Sequence, residues 1–179
     1  MLTQLAWGAR VSPEFADKVV DICYRGFHWY DDSPNDLMSC MAFESGETFS
    51  PSVKNGAGSG ATGLIQFMPV TATGLGTTVQ QLERMTAVQQ LDLVAKYFQP
   101  YAPRIKSLSD MYMAILLPAY IGRSDFSALF SRGTVAYRQN SALDADTDGL
   151  ITKAEASSMV LAKKRKGLQP PYVKEGTWQ

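Results

Sequence analysis

Two groups of side chains in this 179-residue chain have the types and spacing to do chemistry. The first is a single carboxylate, Glu44, at the end of an apolar segment that carries Leu37, Met38, Met41 and Ala42 and runs up to Gly46. If that segment is helical, Glu44 falls in its last turn. Burial and the negative end of the helix dipole then both disfavour its charged form. A carboxyl group kept protonated near neutral pH is what a general acid requires. A solvated glutamate at a helix end is the plain alternative.

The second group is DADTDGLITKAE, residues 144–155. Asp144, Asp146, Asp148, Gly149 and Glu155 match the calcium-loop pattern D-x-[DN]-x-[DN]-G-x5-E without a mismatch. In that pattern Gly149 permits the sharp turn, Leu150 offers its carbonyl from the seventh position and Thr152 fills the ninth. Glu155 closes the shell with two oxygens. The alternative is an acidic turn that binds nothing. Calcium sensors normally pair such loops, and this chain has one, which points to a structural ion rather than a switch. The ion would clamp the chain leaving the core, residues 134–140, to a helix running from Lys153 to Lys166.

The elements that must position these groups read as helices. Ser12-Pro13-Glu14 is an N-cap followed by proline at the first helical position, with Phe15, Val19 and Ile22 at helical spacing and Gly26 as the stop. Ser33-Pro34 repeats the start signal for the helix that carries Glu44, and Gly46 suits its left-handed C-cap. Residues 54–63 are dominated by small residues and predict a loop. Residues 64–67 predict a turn of helix before Met68-Pro69. Val88, Leu91, Ala95 and Phe98 mark an amphipathic helix closed by Gln99-Pro100, and residues 110–119 a central apolar helix ended or kinked at Pro118. Residues 168–179 read as an extended C-terminal arm. No run keeps the strand period for long, so the expectation is one mainly α domain over residues 1–179.

Several function classes drop out. Seventeen basic and seventeen acidic side chains cancel, so net charge points to no polyanionic partner. Lys163-Lys164-Arg165-Lys166 reads as cations complementing a helix C-terminus, with an anionic envelope surface as the other reading. Basic and aromatic residues do not interleave, which argues against nucleic acid. Gly58-x-Gly60-x-x-Gly63 spells the dinucleotide fingerprint but lacks the strand before and the long helix after that the mechanism needs. Ser59 is no nucleophile elbow, since Ala57 and Ala61 flank it where glycines are required. His28 is the only histidine, which disfavours a histidine metal site. Cys23 and Cys40 read as buried, reduced thiols rather than a disulfide. The first eighteen residues lack a basic region followed by a long apolar run, so no signal peptide is expected and synthesis in a reducing cytoplasm is. No apolar run is long enough to predict stable membrane insertion.

Glu44-Ser45, Phe49 and Pro51 are followed by Gly60-Ala61-x-Gly63-Leu64-Ile65-Gln66-Phe67-Met68-Pro69-x-Thr71-Ala72. This order resembles the soluble-type lytic transglycosylases, relatives of goose-type lysozyme, whose motifs read ES-x-F-x-P and GA-x-GL-x-Q-x-x-P-x-TA. Ala136-Tyr137-Arg138-Gln139-Asn140, running into the Asp-rich loop, resembles phage lysis enzymes of that family. The resemblance implies a lysozyme-like fold and cleavage of the bond between N-acetylmuramic acid and N-acetylglucosamine in peptidoglycan. Glu44 would be the single acid and base, and the product a 1,6-anhydro sugar. It also implies that Ser45, Gln66 and Met68 line the sugar cleft. The family's AYNAG motif has its nearest counterpart in Pro118-Ala119-Tyr120-Ile121-Gly122, without the asparagine, so Tyr120 and Tyr137 are both candidates for the cleft tyrosine. The expected protein is a monomer with no catalytic cofactor and one structural calcium ion, acting on the bacterial wall as an endolysin or virion component. Hydrolysis by the same glutamate, and a non-catalytic wall-binding or virion module, are the alternatives.

Overall fold

The computed structural model describes residues 1–56 and 58–178; Ala57, beside Ser59, and Gln179, the end of the expected arm, lie outside the described residues. The fold is mainly α. Helix α1 (Pro13–Asp21) starts as its sequence predicts, with the Ser12 hydroxyl accepting the Phe15 N–H at 3.2 Å, and a single π turn (Ile22–Gly26) carries it to the glycine.

Helix α2 (Ser33–Glu44) is the axis of the molecule. Its first ten residues are all buried, and it packs against α1, α6 (Leu108–Leu116) and α8 (Lys153–Gly167). A helix covered on every side belongs at the centre of a domain. The Ser-Pro start signal is off by one residue here. Asp32 occupies the cap position, while Ser33 lies inside the first turn with its hydroxyl buried and unpaired. Packing sets this start: the Asn35 Oδ1 accepts the Ala6 N–H at 2.7 Å and draws the first turn into the core.

Among the described residues four further helices complete the set: α3 (Pro69–Gly74), α4 (Val79–Arg84), α5 (Ala87–Phe98) and α7 (Val135–Asn140). Leu91, Val94 and Phe98 form the buried face of α5, and α6 ends before Pro118 as expected. Two short antiparallel ribbons were not expected. Strand β1 (Leu2–Leu5) pairs with β4 (Lys174–Trp178), and β2 (Ala128–Ser131) pairs with β3 (Leu150–Thr152). Within the expected extended arm, residues 174–178 form a strand docked along β1, with Leu5 opposite Lys174. Strands of three to five residues are too short to show a period, and their partners lie far off in the chain. Cys23 and Cys40 are buried free thiols, and His28 is exposed. Among the described residues no helix is long and apolar enough to cross a membrane.

The basic run of α8 turns inward. Lys164 pairs with Asp32 and, at 2.5 Å, with Asp36, while Lys163 and Lys166 hold the two oxygens of Glu47 at 2.5 and 2.6 Å. Lys166 also lies over the rings of Trp7 and Tyr172. Three of the four cations thus have partners within the chain, which removes most of the patch that an anionic surface would meet.

At its other end α8 is joined to α6 by a buried ion pair. Lys153, 2% exposed, places its ammonium 2.6 Å from Asp110 and also donates to the Arg123 carbonyl at 2.9 Å. Breaking a buried pair leaves an uncompensated charge, so Lys153→Met should cost about 3 kcal/mol. Urea unfolding at pH 7 checks this; a loss within about 0.5 kcal/mol, typical of surface substitutions, would mean that water reaches the pair.

Candidate active site

Glu44 is the last residue of α2, and the chain turns sharply beyond it. Gly46 and Glu47 both take left-handed backbone angles, at φ +61° and +67°, and the Glu47 N–H donates back to the Ala42 carbonyl at 2.7 Å. The Ser45 hydroxyl accepts the Phe49 N–H at 3.0 Å and holds the turn shut.

The glycine-rich loop then returns over Glu44. The Val53 carbonyl receives the Gly63 N–H at 2.8 Å and the Gln66 side-chain amide at 3.2 Å. Residues 64–67 do not form the expected turn of helix. They make a tight reversal closed by backbone bonds in both directions between Thr62 and Phe67, with Gln66 at φ +55°. The cause lies in Gln90 of α5, which is fully buried. Its Oε1 accepts the Leu64 N–H at 2.7 Å, and its Nε2 donates to the carbonyls of Pro51 and Leu82 at 3.0 and 3.3 Å. Gly63, at φ +89°, sits against that amide so closely that a Cβ would collide with it.

Between loop and helices lies a cleft of about 470 Å³ bordered by Glu44, Gln66, Met68, Tyr112, Leu116 and Asn140 among others. A second hollow of about 380 Å³ shares Phe43, Glu44, Asn55 and Gln66 with it and adds Ser45 and Lys54. Glu44 therefore stands where the two hollows meet, with room for an extended ligand on either side. Burial pushes its carboxyl up to about 7, and among the described residues nothing forms a hydrogen bond or ion pair with that side chain. No other acidic residue borders either hollow among the described residues.

Of the residues singled out in the sequence, Glu44, Gln66 and Met68 come together at the cleft, and Ser45 is buried beside it. Tyr120 and Tyr137 border neither hollow. Tyr120 lies in a 3-10 turn beyond α6, and the Tyr137 hydroxyl donates to Asp144. The tyrosine at the cleft is Tyr112. Its ring meets Phe43 edge-on at 5.6 Å, and burial first, then the charge of Glu44, push its hydroxyl up. Among the described residues that hydroxyl has no hydrogen-bond partner. Its only sequence signal was membership of the apolar helix.

The acidic loop forms a separate centre. Carboxylate oxygens of Asp144, Asp146 and Asp148 lie within 4.8 Å of one another and could hold a metal ion. Asp144 is 8% exposed; its Oδ1 is buried without a partner, and its Oδ2 accepts the Gly149 N–H at 3.1 Å. Glu155 is not in this group. Its Oε2 accepts the N–H and hydroxyl of Thr152, at 2.8 and 2.7 Å, and its Oε1 the Ala145 N–H at 3.2 Å, so it caps α8. Leu150 donates its N–H to Asp148 at 2.7 Å.

Comparison with known families adds a further observation. Residues 28–115 match the Transglycosylase SLT domain. The match takes in α2, the cleft loop, α5 and nearly all of α6, just under half of the chain, and stops before the acidic loop. No curated protein and no solved structure gives a significant match. The family-level similarity supports a glycan-acting function.

Two outcomes follow from this geometry. Gln90→Leu strands one buried N–H and two carbonyls, at about 1–3 kcal/mol for each group that water cannot reach, and urea unfolding should register a loss of about 3 kcal/mol. Glu44 has a folded-state pKa above its unfolded value, so above pH 7 folding must bury a charge. Glu44→Gln should then stabilise the protein by up to about 3 kcal/mol at pH 8.5, a gain that fades as pH falls through 7 towards 4.5. Paired melts at pH 8.5 and pH 4.5 check both sign and window.

Proposed function

We propose that this protein is a lytic transglycosylase of lysozyme-like fold that cleaves the β-1,4 bond between N-acetylmuramic acid and N-acetylglucosamine in peptidoglycan. The observation that carries the reading is a cleft with one carboxyl group, raised to about 7 by burial, and no second acidic residue bordering it among the described residues. Glycosidases that hydrolyse with two carboxylates need the second for a water or a covalent intermediate. With one, the economical route uses the substrate's own hydroxyl.

Glu44 protonates the glycosidic oxygen as its bond to the muramoyl C1 breaks, releasing the N-acetylglucosamine end. The Glu44 carboxylate then takes the proton of the muramoyl 6-hydroxyl while that oxygen bonds to C1. A 1,6-anhydro ring results, no water is consumed, and the acid is regenerated. Gln66 spends its amide hydrogens on Val53 and Gly63, which leaves its Oε1 as an acceptor for sugar N–H or O–H groups. Tyr112 brings the free hydroxyl at the cleft, the role for which Tyr120 and Tyr137 were candidates. Met68, 43% exposed, offers an apolar rim. The place of action would be the bacterial cell wall.

The acidic loop would hold a structural Ca²⁺ through Asp144, Asp146 and Asp148, with Leu150, Thr152 and Glu155 completing the shell. The unpaired Asp144 oxygen and the crowded carboxylates fit a hard cation. The ion would neutralise repulsion and take no part in bond cleavage.

Purified peptidoglycan digested by wild type and by Glu44→Gln, with the released muropeptides weighed, tests the proposal. Wild type should release anhydro products at a rate that declines as pH rises through about 7, and Glu44→Gln should be slower by about 10³-fold. Products heavier by one water would mean hydrolysis, and a folded wild type releasing nothing would mean a binding module.

A further inference from the structure

The acidic loop and the cleft share a wall. Gln139, Asn140, Ala142 and Leu143 border the cleft together with the glycine-rich loop's Ser59 and Ala61, and the residue after Leu143 is Asp144. Hydrogen bonds hold this wall only to its own neighbourhood: Asn140 Nδ2 to Ala136 O at 2.9 Å, Ser141 Oγ to Arg138 O at 3.4 Å, and Asp144 N to Ser141 O at 3.2 Å. None crosses to α2, α5 or α6 among the described residues. What fixes the wall relative to Glu44 is packing, through buried Leu143, the contact of residues 141–143 with α8 and that of α7 with β2, together with the loop that begins at Asp144, whose carboxylate accepts the Tyr137 hydroxyl.

The loop's far end is firm. Strand β3 pairs with β2, and Lys153, the tenth loop position, is locked to Asp110 of α6, the helix that brings Tyr112 and Leu116 to the same cleft. The loop thus joins a wall held by packing, without hydrogen bonds to α2, α5 or α6 among the described residues, to one locked by a buried ion pair. What opposes its closure is electrostatic: three carboxylates within 4.8 Å of one another and an Asp144 oxygen buried without a partner. Arg132 is the cation beside them, yet it spends a guanidinium N–H on the Thr147 carbonyl at 3.0 Å and forms no ion pair with an aspartate among the described residues.

We propose that a divalent cation held by Asp144, Asp146 and Asp148 sets the position of the cleft wall at residues 139–143, so that cation and glycan bind with positive cooperativity. The glycan half of this statement rests on the function proposed above; the wall half does not. Because coupling between two binding sites is reciprocal, each ligand must tighten the other by the same factor, expected here at roughly tenfold.

The test uses the full chain carrying Glu44→Gln, with calcium chloride and a β-1,4-linked N-acetylglucosamine tetrasaccharide as the two ligands. Calorimetry measures each affinity with and without the other, and hydrogen exchange follows the amides of residues 139–143. Matching factors near ten, with slowed exchange at 139–143 on calcium addition, establish the coupling. Loss of that slowing, with the fold kept, in Asp146→Asn/Asp148→Asn assigns it to the loop. Calcium binding that leaves both exchange at 139–143 and glycan affinity unchanged overturns the inference and leaves the metal site standing. Calcium failing to bind overturns both. Slowed exchange with no glycan binding in either state would refute cooperativity through failure of the glycan reading while keeping the wall effect.

Discussion

Glu44 is held where low polarity and the end of α2 oppose its ionisation, and the surrounding architecture serves to leave it alone there. Four acidic groups flank the ends of α2: Asp32 and Asp36 at the start, Glu44 and Glu47 at the finish. Lys163, Lys164 and Lys166 of α8 pair with three of them and bypass the fourth. Glu47 shows the contrast most plainly. Partial burial pushes it up, but its two lysines hold it below the ordinary range, while Glu44, three residues earlier and without a cation, is pushed up by burial. Two glutamates one turn apart are thereby driven to opposite protonation behaviour, one held ionised by its lysines and one kept protonated near neutral pH, as the proposed acid must be.

A cleft needs backbone close to its ligand, and backbone turned away from regular structure needs other partners for its N–H and C=O groups. Gln90 supplies them from beneath. One buried amide serves the Leu64 N–H, the Pro51 carbonyl and the Leu82 carbonyl, so the loop over Glu44 is carried by α5 rather than by its own hydrogen bonds alone. Gly63 is required for two independent reasons, its left-handed backbone and the absence of space for a side chain against that amide.

The C-terminal third stands outside the region that matches the Transglycosylase SLT domain, yet it is integral to the fold. Helix α8 carries the lysines that sort the acids of α2, the buried lysine that locks α6, and the cap on which Glu155 closes. The chain before it supplies one wall of the cleft. The matched region and the acidic loop are therefore mechanically continuous, through a buried ion pair on one side and a short stretch of backbone on the other.

Much was legible in the chain itself. Local rules sufficed for Ser12 as a cap, for the end of α2 just before Gly46, for α5 and its buried face, and for the stop before Pro118. They sufficed because each depends on neighbours within a few residues. The spacing of three aspartates around Gly149 likewise fixed a carboxylate cluster, and the polarity around Glu44 already implied a raised acid. Tertiary structure alone decided the rest. Residues 64–67 reverse instead of coiling because Gln90, more than twenty positions on, captures the Leu64 N–H. Tyr112, not Tyr120 or Tyr137, reaches the cleft because the packing of α6 on α2 selects which side of a mostly apolar helix faces Glu44. Lys163, Lys164 and Lys166 became internal partners because folding brings them to acids more than a hundred residues away, and no local pattern of charge or period encodes an approach of that length.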